Sequence, residues 1–234
     1  MAVVGALHAA TLSQDCLARN DWICPEYVRT RASRIVEALQ EHVLIAGSAL
    51  VISFVVALVL ALIARHWRLL SAPIQGISTV LYTVPSLALF ALLFPITGLT
   101  PTTVIIGLVL YSLTILVRGM IVGLDSVPVD VRESAIGMGY GPAKLLWRVE
   151  LPLAVPPIFA ALRVAAVSTV AITTVGFLVG HGGLGNLIFQ GLRSSFRAEV
   201  LTASVLCVVL ALVADLVLVG LQRLLTPWRQ GVAA

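Results

Sequence analysis

The polar and charged side chains that could do chemistry are concentrated in residues 122–152, between two long apolar regions. The charged residues of this stretch are Asp125, Asp130, Arg132, Glu133, Lys144, Arg148 and Glu150. Closely spaced glycines and prolines interrupt it, which predicts two short helices joined by a turn. We expect Ser126 to cap the first helix and Pro142 to begin the second, because these residue types favour those positions. This polar hairpin is suited either to contact a partner or to remain a plain solvated loop.

Motifs for catalysis and nucleotide binding do not occur in the sequence. It has no GxxxxGK[ST] phosphate loop and no GxSxG nucleophile motif, and Lys144 is its only lysine. The glycine run from Gly137 to Gly141 follows no predicted strand and precedes Pro142, so it is not a dinucleotide-binding turn. The histidines are His8, His42, His66 and His181. Their wide separation indicates no metal site. We therefore predict no enzyme, no cofactor and no metal, and energy for any active process must come from a partner.

The composition indicates an integral membrane protein. The 234 residues are 59% hydrophobic and 11% charged, with a mean hydropathy of +1.05, whereas soluble domains carry about 25% charged residues. One soluble core of this size cannot hide so many apolar side chains, because a domain surface needs polar cover. Lipid removes that requirement. The net charge of +4 then reflects membrane topology rather than nucleic-acid binding, since the basic residues flank apolar segments.

Length and hydrophobicity predict about five transmembrane helices in an all-α, polytopic fold. Residues 43–64 contain no charged side chain and would reach about 33 Å as a helix, which is enough to cross the hydrocarbon core. The predicted spans are residues 43–64, 74–95, 101–121, 153–179 and 200–222. Pro85 should kink the second span. Residues 180–198 form a loop that contains either a re-entrant segment or a short surface helix.

The first 40 residues are predicted to be a tail followed by an amphipathic helix. Apolar residues recur on one face of residues 26–41 and arginines on the other. This helix either lies in the membrane interface or forms the first turns of the following span. Cys16 and Cys24 would pair if the tail faces an oxidising compartment, and would otherwise remain unpaired thiols. The predicted division is a tail and helix at 1–40, a membrane domain at 41–225 with the hairpin at 122–152, and a C-terminal tail at 226–234.

The basic residues predict which side of the membrane the hairpin faces. An odd number of spans places the two chain ends on opposite sides. Arg65, Arg68 and Arg223 then share a side with the hairpin, and that side has a small excess of basic residues over the other. Since basic residues are enriched in cytoplasmic loops, we expect the hairpin and the C-terminus to be cytoplasmic.

Arg163 and Asp215 are the charged side chains that the predicted spans bury most deeply. Each lies about ten residues, or roughly 15 Å, from the predicted cytoplasmic end of its helix. An unpaired charge at this depth costs on the order of 3 kcal/mol or more. Opposite charges at equal depth favour a pair between the fourth and fifth spans. Separate contacts with water or direct contact with a substrate are the alternatives.

The hairpin carries residues of defined type at fixed spacing. They are Glu133-Ser134-Ala135, then three residues, Gly139, nine residues, Val149, one residue and Leu151-Pro152. This pattern resembles the EAA loop in permease subunits of binding-protein-dependent ABC importers, which reads EAA, three residues, G, nine residues, I, one residue, LP. The spacing matches throughout. Ser134 replaces the usual alanine, and Val149 replaces the usual isoleucine.

Two further segments narrow the resemblance to importers of osmoprotectants. Residues 83–89, TVPSLAL, resemble the TIPSLAL segment of importers for glycine betaine, choline, carnitine and proline betaine. Residues 180–188, GHGGLGNLI, are similar to their GAGGLGDLI segment, from which His181 and Asn186 depart. The likeness covers roughly residues 40–225.

The resemblance implies one half of the pore of a type I ABC importer in the plasma membrane. Two such subunits, identical or paralogous, would bind two cytoplasmic ATPases and an extracytoplasmic solute-binding protein. The first hairpin helix, around Glu133 to Met138, would dock in a groove on the ATPase, whose closure would swing the spans between inward-open and outward-open. The alternatives are a permease for another small solute such as an amino acid, a polytopic membrane enzyme and a passive channel.

Tyr82, Pro85 and Ser86, near the start of the predicted second span, are candidates for the solute pathway. Quaternary ammonium groups bind well to aromatic cages through cation–π attraction. Only 6% of the residues are aromatic, and no aromatic cluster is evident in the sequence. We therefore expect tight solute recognition in a separate binding protein.

Overall fold

The computed structural model describes residues 16–227, and this part of the chain is helical with no β-strand. In chain order the helices are α1 (Pro25–Thr30), α2 (Ala32–His66), α3 (Arg68–Thr83), α4 (Ser86–Thr97), α5 (Pro101–Asp125), α6 (Val129–Gly137), α7 (Pro142–Leu145), α8 (Leu151–Thr173), α9 (Leu184–Arg193) and α10 (Arg197–Leu225). A π-helical segment, Leu146–Glu150, joins α7 to α8, and a 3-10 segment, Thr174–Val179, follows α8. The predicted all-α fold is confirmed.

Four helical stretches among residues 16–227 are long and apolar enough to cross a membrane. They are Ala32–His66, Pro101–Asp125, Pro142–Val179 and Arg197–Leu225. Helices α3 and α4 pass the same test as a pair, so they make a fifth span if the pair is counted as one. The prediction of a polytopic membrane protein with about five spans is confirmed.

The second predicted span, residues 74–95, is broken rather than kinked. The axes of α3 and α4 differ by 97° across a break at Val84 and Pro85. Proline has no backbone N–H and disfavours helical backbone in the residue before it, and Val84 is accordingly extended, with ψ 125°. The expectation of one continuous helix bent at Pro85 is therefore wrong, because the helix stops there and restarts at Ser86.

The predicted amphipathic segment, residues 26–41, is divided at Arg31. Short α1 ends at Thr30, and α2 starts at Ala32 and continues without interruption to His66. Residues 32–41 are therefore the first turns of the first span, which is the second of the two alternatives that the sequence left open.

The helices divide into two compact units, each with its own buried cluster. Among the described residues, the first unit contains 16–48, 86–107 and 170–211, and the second contains 49–85, 108–169 and 212–227. The cluster of the first unit includes Tyr27, Leu184 and Leu187. A disulfide joins Cys16 to Cys24 beside it, with the two Cα atoms 5.6 Å apart, so these cysteines are paired.

Helices α2, α5 and α8 form the core of the second unit, which includes Ala57, Leu116 and Ile158. Small residues allow α5 and α8 to approach closely, as is common between membrane helices. A Cβ atom added to Gly119 would lie only 2.1 Å from the Cβ of Ala161. This unit contains the whole polar hairpin, residues 122–152.

Candidate functional site

The polar hairpin consists of α6, a turn, α7 and the π-helical segment that leads into α8. Pro142 begins α7, as predicted. The prediction that Ser126 caps α6 is wrong. Its hydroxyl instead donates to the carbonyl of Gly123 at 2.7 Å, at the end of α5, and Pro128 occupies the N-cap position of α6. The serine thus completes the preceding helix rather than starting the next one.

The motif glycine, Gly139, ends α6 in a backbone conformation that favours glycine. Its φ is +80°, in the left-handed region. Its N–H donates to the carbonyl of Ile136 at 2.9 Å, and the N–H of Tyr140 donates to the carbonyl of Ala135 at 3.1 Å. These two bonds form a Schellman C-cap. Since an added Cβ would meet no atom within 4 Å, backbone conformation rather than lack of space selects glycine at this position.

The other motif residues divide into an exposed group and an inward-facing group. Glu133 and Ser134 are exposed on α6, while Ala135 on the same helix is buried. The remaining motif residues, Val149, Leu151 and Pro152, are half-buried where the hairpin enters α8. The motif therefore combines a surface that a partner can reach with contacts that fix the hairpin to a span.

Helix α6 and its C-cap also expose apolar side chains. Val129, Ile136 and Met138 have 61%, 56% and 69% of their surface exposed. Charged residues Asp130 and Glu133 lie on the same short helix. An exposed apolar patch with a polar rim is typical of a surface that binds another protein.

Glu150, the last residue of the π-helical segment, is a completely buried carboxylate. Arg65 of α2 donates to it and pairs with both of its oxygens. The Nε atom of Arg132, on α6, lies 3.0 Å from Oε1 in a second ion pair. Arg132 also donates to the carbonyl of Leu124 at the end of α5. The Glu150 carboxylate thus links α6 to α2 at the start of α8, and Arg132 adds a hydrogen bond to the end of α5.

The sequence shows Glu150 as one of the hairpin charges, but no local pattern indicates its partners. Its two arginines are far from it in the sequence, which hides the cluster from local patterns. The position of Glu150 between Val149 and the apolar residues Leu151 and Pro152 does indicate a buried ion pair, because a carboxylate at the start of a span needs a partner.

The deep charges Arg163 and Asp215 meet in a bidentate ion pair between α8 and α10. The Nε and Nη2 atoms of Arg163 donate to Oδ1 and Oδ2 of Asp215 at 2.6 and 2.8 Å. Paired, planar geometry of this kind gives the strongest arginine–carboxylate contacts. The structure therefore brings together the two residues that the sequence indicated as partners.

The sequence matches the family described as "Binding-protein-dependent transport system inner membrane component" over residues 43–231. The chain belongs to this family. It is accordingly a multi-pass component of the plasma membrane and a transport permease rather than an enzyme. Membership also implies partners that hydrolyse ATP and partners that bind the solute.

Curated relatives of this permease span nearly the same length. It is 35% identical over 202 residues to the choline transport system permease protein OpuBD of Bacillus subtilis (strain 168), covering 86% of this chain and 89% of that protein. It is 33% identical to the glycine betaine/carnitine/choline transport system permease protein OpuCD of the same organism, with 86% and 88% covered.

A solved structure confirms the fold of the permease. A chain of the MetNI methionine ABC transporter in an inward-facing conformation superimposes with a TM-score of 0.74 at 21% identity, covering 84% of this chain and 98% of that one. The type I ABC importer permease fold is therefore confirmed.

The three pathway candidates of the permease lie at the break between α3 and α4. Tyr82 packs edge-to-face against Tyr111, with ring centroids 5.7 Å apart, and the Tyr111 hydroxyl donates to the carbonyl of Val84. Pro85 is exposed and Ser86 half-buried. The two tyrosines form the aromatic pair that the sequence alone did not bring together.

The glycine-rich segment after α8 is held by its two unusual residues. The Asn186 amide donates to the carbonyl of Gly180 at 2.9 Å, and its Oδ1 accepts from the N–H of Gly182 at 3.1 Å. His181 lies 2.8 Å from the carboxylate of Glu41. An aspartate in place of Asn186 could accept the second bond but could not donate the first. The departures from the expected segment therefore have local hydrogen-bonding roles.

Proposed function

We propose that this chain is the permease subunit of an ABC importer that carries an osmoprotectant such as choline, glycine betaine or carnitine into the cell. Its relatives named as choline and as glycine betaine/carnitine/choline permeases, which cover 86% of this chain, support this solute class. The observation that carries the transport mechanism is α6, a short helix between two spans that exposes both a motif carboxylate and apolar side chains.

The α6 surface is the proposed docking site for a cytoplasmic ATPase. Glu133 and Ser134 would lie at the contact, with the exposed apolar residues packing into a groove on the ATPase. Ala135, Gly139, Val149, Leu151 and Pro152 support that surface rather than touching the partner. Gly139 ends the helix at the correct residue, and the other four anchor it. The chain has no phosphate-binding loop of its own, so the ATPase supplies the energy.

Arg163 and Asp215 serve as a structural pair that allows two charges to lie within membrane spans. Their bidentate contact offsets the cost of removing each charge from water. Direct contact of either charge with the solute is the competing assignment. A reversal-and-swap experiment, described in the Discussion, separates these roles.

Tyr82, Pro85 and Ser86 are proposed to line the solute pathway at the break between α3 and α4. Tyr82 is 47% exposed and packs against the buried Tyr111, so its ring offers aromatic surface of the type that attracts quaternary ammonium groups. A second permease subunit, identical or paralogous, completes the pore, because the spans of one chain are few to enclose a gated pathway.

Reconstitution tests this function most directly. The permease is placed in proteoliposomes with its ATPase and binding protein, and uptake of labelled choline, glycine betaine and carnitine is measured. We expect uptake that requires hydrolysable ATP and the binding protein. Uptake without ATP would indicate a passive channel, and ATP-dependent uptake of amino acids alone would replace the solute class.

A substitution on α6 tests the docking surface in the same system. Ile136→Glu places a charge on the exposed apolar face and should reduce co-purification of the ATPase at least fivefold. Arg148→Ala, at an exposed position of the π-helical segment, is the matched control and should co-purify normally. Equal co-purification of both variants would remove α6 as the docking site.

A further inference from the structure

Glu150 stands apart from the motif residues because it is completely buried and touches no surface that a partner could reach. Glu150 is not one of the residues that carry the family resemblance. Its burial without charge compensation would be very unfavourable, so its two arginines are part of the same feature. We call Glu150, Arg65 and Arg132 the carboxylate brace.

The brace joins elements that have different roles in the proposed mechanism. Arg132 lies on α6, the helix proposed to contact the ATPase, whereas Arg65 lies in the last turn of the first span. Glu150 immediately precedes α8, the span that carries Arg163. Through the carbonyl of Leu124, Arg132 also contacts the end of α5. At this one point α6 is therefore joined to α2 by the ion pairs of Glu150 and to α5 by a hydrogen bond from Arg132. The chain continues directly from Glu150 into α8.

The local backbone is also unusual at this point. Glu150 ends a π-helical segment, Leu146–Glu150, set between two α-helical stretches. Single π-helical turns shift the direction of the side chains that follow them and occur frequently at functional sites. The exposed Arg148 lies in the same segment, two residues earlier, while Glu150 is fully buried.

We propose that Glu150 is a positioning residue for energy coupling: through Arg132 and Arg65 it makes α6 and the ends of the adjoining spans move as one body when the ATPase acts. This inference rests on the proposed function for its role in transport. The geometric part, that the brace fixes α6 relative to α2, can be measured without any solute.

The brace can be weakened in ways that separate geometry from charge. Glu150→Gln removes the charge at nearly constant size. Glu150→Asp keeps the charge but shortens the side chain, and Arg132→Lys keeps the charge but loses the planar fork that reaches both Glu150 and Leu124. Arg148→Gln, in the same π-helical segment, is the matched control.

The first measurement is the ratio of solute taken up to ATP hydrolysed, determined on the same assembled complexes in proteoliposomes. We expect Glu150→Gln to lower this ratio at least fivefold and Arg132→Lys to lower it about twofold to fivefold, while Arg148→Gln matches the unmodified protein. A merely structural role would reduce the amount of complex without changing the ratio. An unchanged ratio in assembled Glu150→Gln complexes would overturn the proposal. If that variant does not assemble, Glu150→Asp and Arg132→Lys decide by the same criterion.

The second measurement is the distance between spin labels attached at Ser134→Cys on α6 and His66→Cys on α2, in a protein that carries Cys207→Ala so that the free cysteine is not labelled. We expect a narrow distribution in the unmodified brace and at least a twofold broader one with Glu150→Gln, with no change for Arg148→Gln. A distribution that stays narrow in Glu150→Gln would overturn the brace even if transport proceeds. If the unmodified protein takes up no osmoprotectant, the proposed function fails, and the distance measurement still decides whether Glu150 positions α6.

Discussion

Glu150 and Glu199 are both buried glutamates, but they lie in different units and are held in different ways. Glu150, in the second unit, pairs with two arginines that come from a span and from the hairpin. Glu199, in the first unit, lies 3.7 Å from Arg34 and hydrogen-bonds to Tyr27, both close to the start of the described chain. The first carboxylate connects moving parts of the proposed mechanism, whereas the second holds α1 and the start of α2.

The surroundings of Glu199 explain this difference. The disulfide between Cys16 and Cys24 closes a short loop next to Tyr27, whose ring packs edge-to-face on Phe196 at 5.2 Å. The side chain of Asn20 donates to the carbonyl of Ser195 at 2.7 Å and accepts from the N–H of Arg197 at 2.9 Å. These contacts resist displacement of residues 16–27. The comparison predicts that changes around Glu199 affect stability and that changes around Glu150 affect transport.

Charge reversal within the second unit should have the largest effect. Arg163→Asp places two carboxylates side by side in a span, and we expect transport to fall about 100-fold. The double variant Arg163→Asp with Asp215→Arg restores opposite charges and should recover at least a tenth of the original uptake. Uptake in proteoliposomes measures both.

The outcome of the double variant decides the role of this pair. Recovery supports a structural ion pair, since the two positions are then interchangeable in charge. No recovery, with normal assembly of the complex, would assign Arg163 or Asp215 to solute contact instead.

Loss of the disulfide in the first unit should be the largest change in stability. Replacing Cys16 and Cys24 by serine opens a loop with a sequence separation of 8, which costs about 2–3 kcal/mol by loop-closure entropy. Hydrogen exchange of residues 16–30 should rise, while uptake per assembled complex stays within twofold. Cys207→Ala, at the free cysteine, is the control. A loss of uptake per assembled complex in the variant without the disulfide would contradict a purely stabilising role for this part of the first unit.

Neutralising Glu199 should lower the free energy of unfolding by less than the loss of the disulfide does. Glu199→Gln keeps the shape but weakens the contacts with Arg34 and Tyr27, with an expected loss of about 1–2 kcal/mol in the free energy of unfolding. Thermal unfolding of the purified protein measures it, with Glu37→Gln at an exposed position of α2 as the matched control. If Glu199→Gln lowers the ratio of uptake to ATP hydrolysis, Glu199 acts in energy coupling as Glu150 is proposed to do, which would contradict the comparison.

The smallest predicted effect is a dependence on alkaline pH. Burial, together with the nearby carboxylate of Glu199, raises the pKa of Tyr27 to about 12. Because this exceeds the ordinary value of about 10, the neutral phenol stabilises the fold below about pH 10, and that contribution is lost as pH rises towards 12. Tyr27→Phe should show a smaller decrease in melting temperature over this range. Parallel pH profiles for the two proteins would contradict the assignment.

Several parts of the molecule could be predicted from the sequence because the membrane leaves few alternatives. Charge-free segments of suitable length indicated the spans, and two opposite charges at equal depth indicated the contact of Arg163 with Asp215. The position of the hairpin and the start of α7 at Pro142 followed from composition and from the conformation of proline. These inferences depend on the conformational preferences of single residues or on the exclusion of charged groups from lipid.

The remaining features depend on tertiary packing. Proline predicts where a helix stops but not the direction in which the chain continues, so the 97° bend at Pro85 was underestimated. Ser126 lies between two helices, and its hydroxyl satisfies the carbonyl of the earlier one. The partners of Glu150 and the packing of Tyr82 on Tyr111 join residues that are distant in sequence. Local patterns carry no information about these contacts.

The central claim is that α6 is the cytoplasmic surface on which a separate ATPase acts, and cross-linking from this helix tests it most directly. Ser134→Cys is introduced together with Cys207→Ala, and a version that retains Ser134 serves as the control. We predict that an impermeant maleimide labels the new cysteine only in inside-out vesicles. A short cross-linker with a maleimide at one end and a photoreactive benzophenone at the other should join it to the ATPase subunit, with a yield that changes when ATP is added. Labelling from the outside of intact cells, or no cross-link to any ATPase in assembled complexes, would contradict the account.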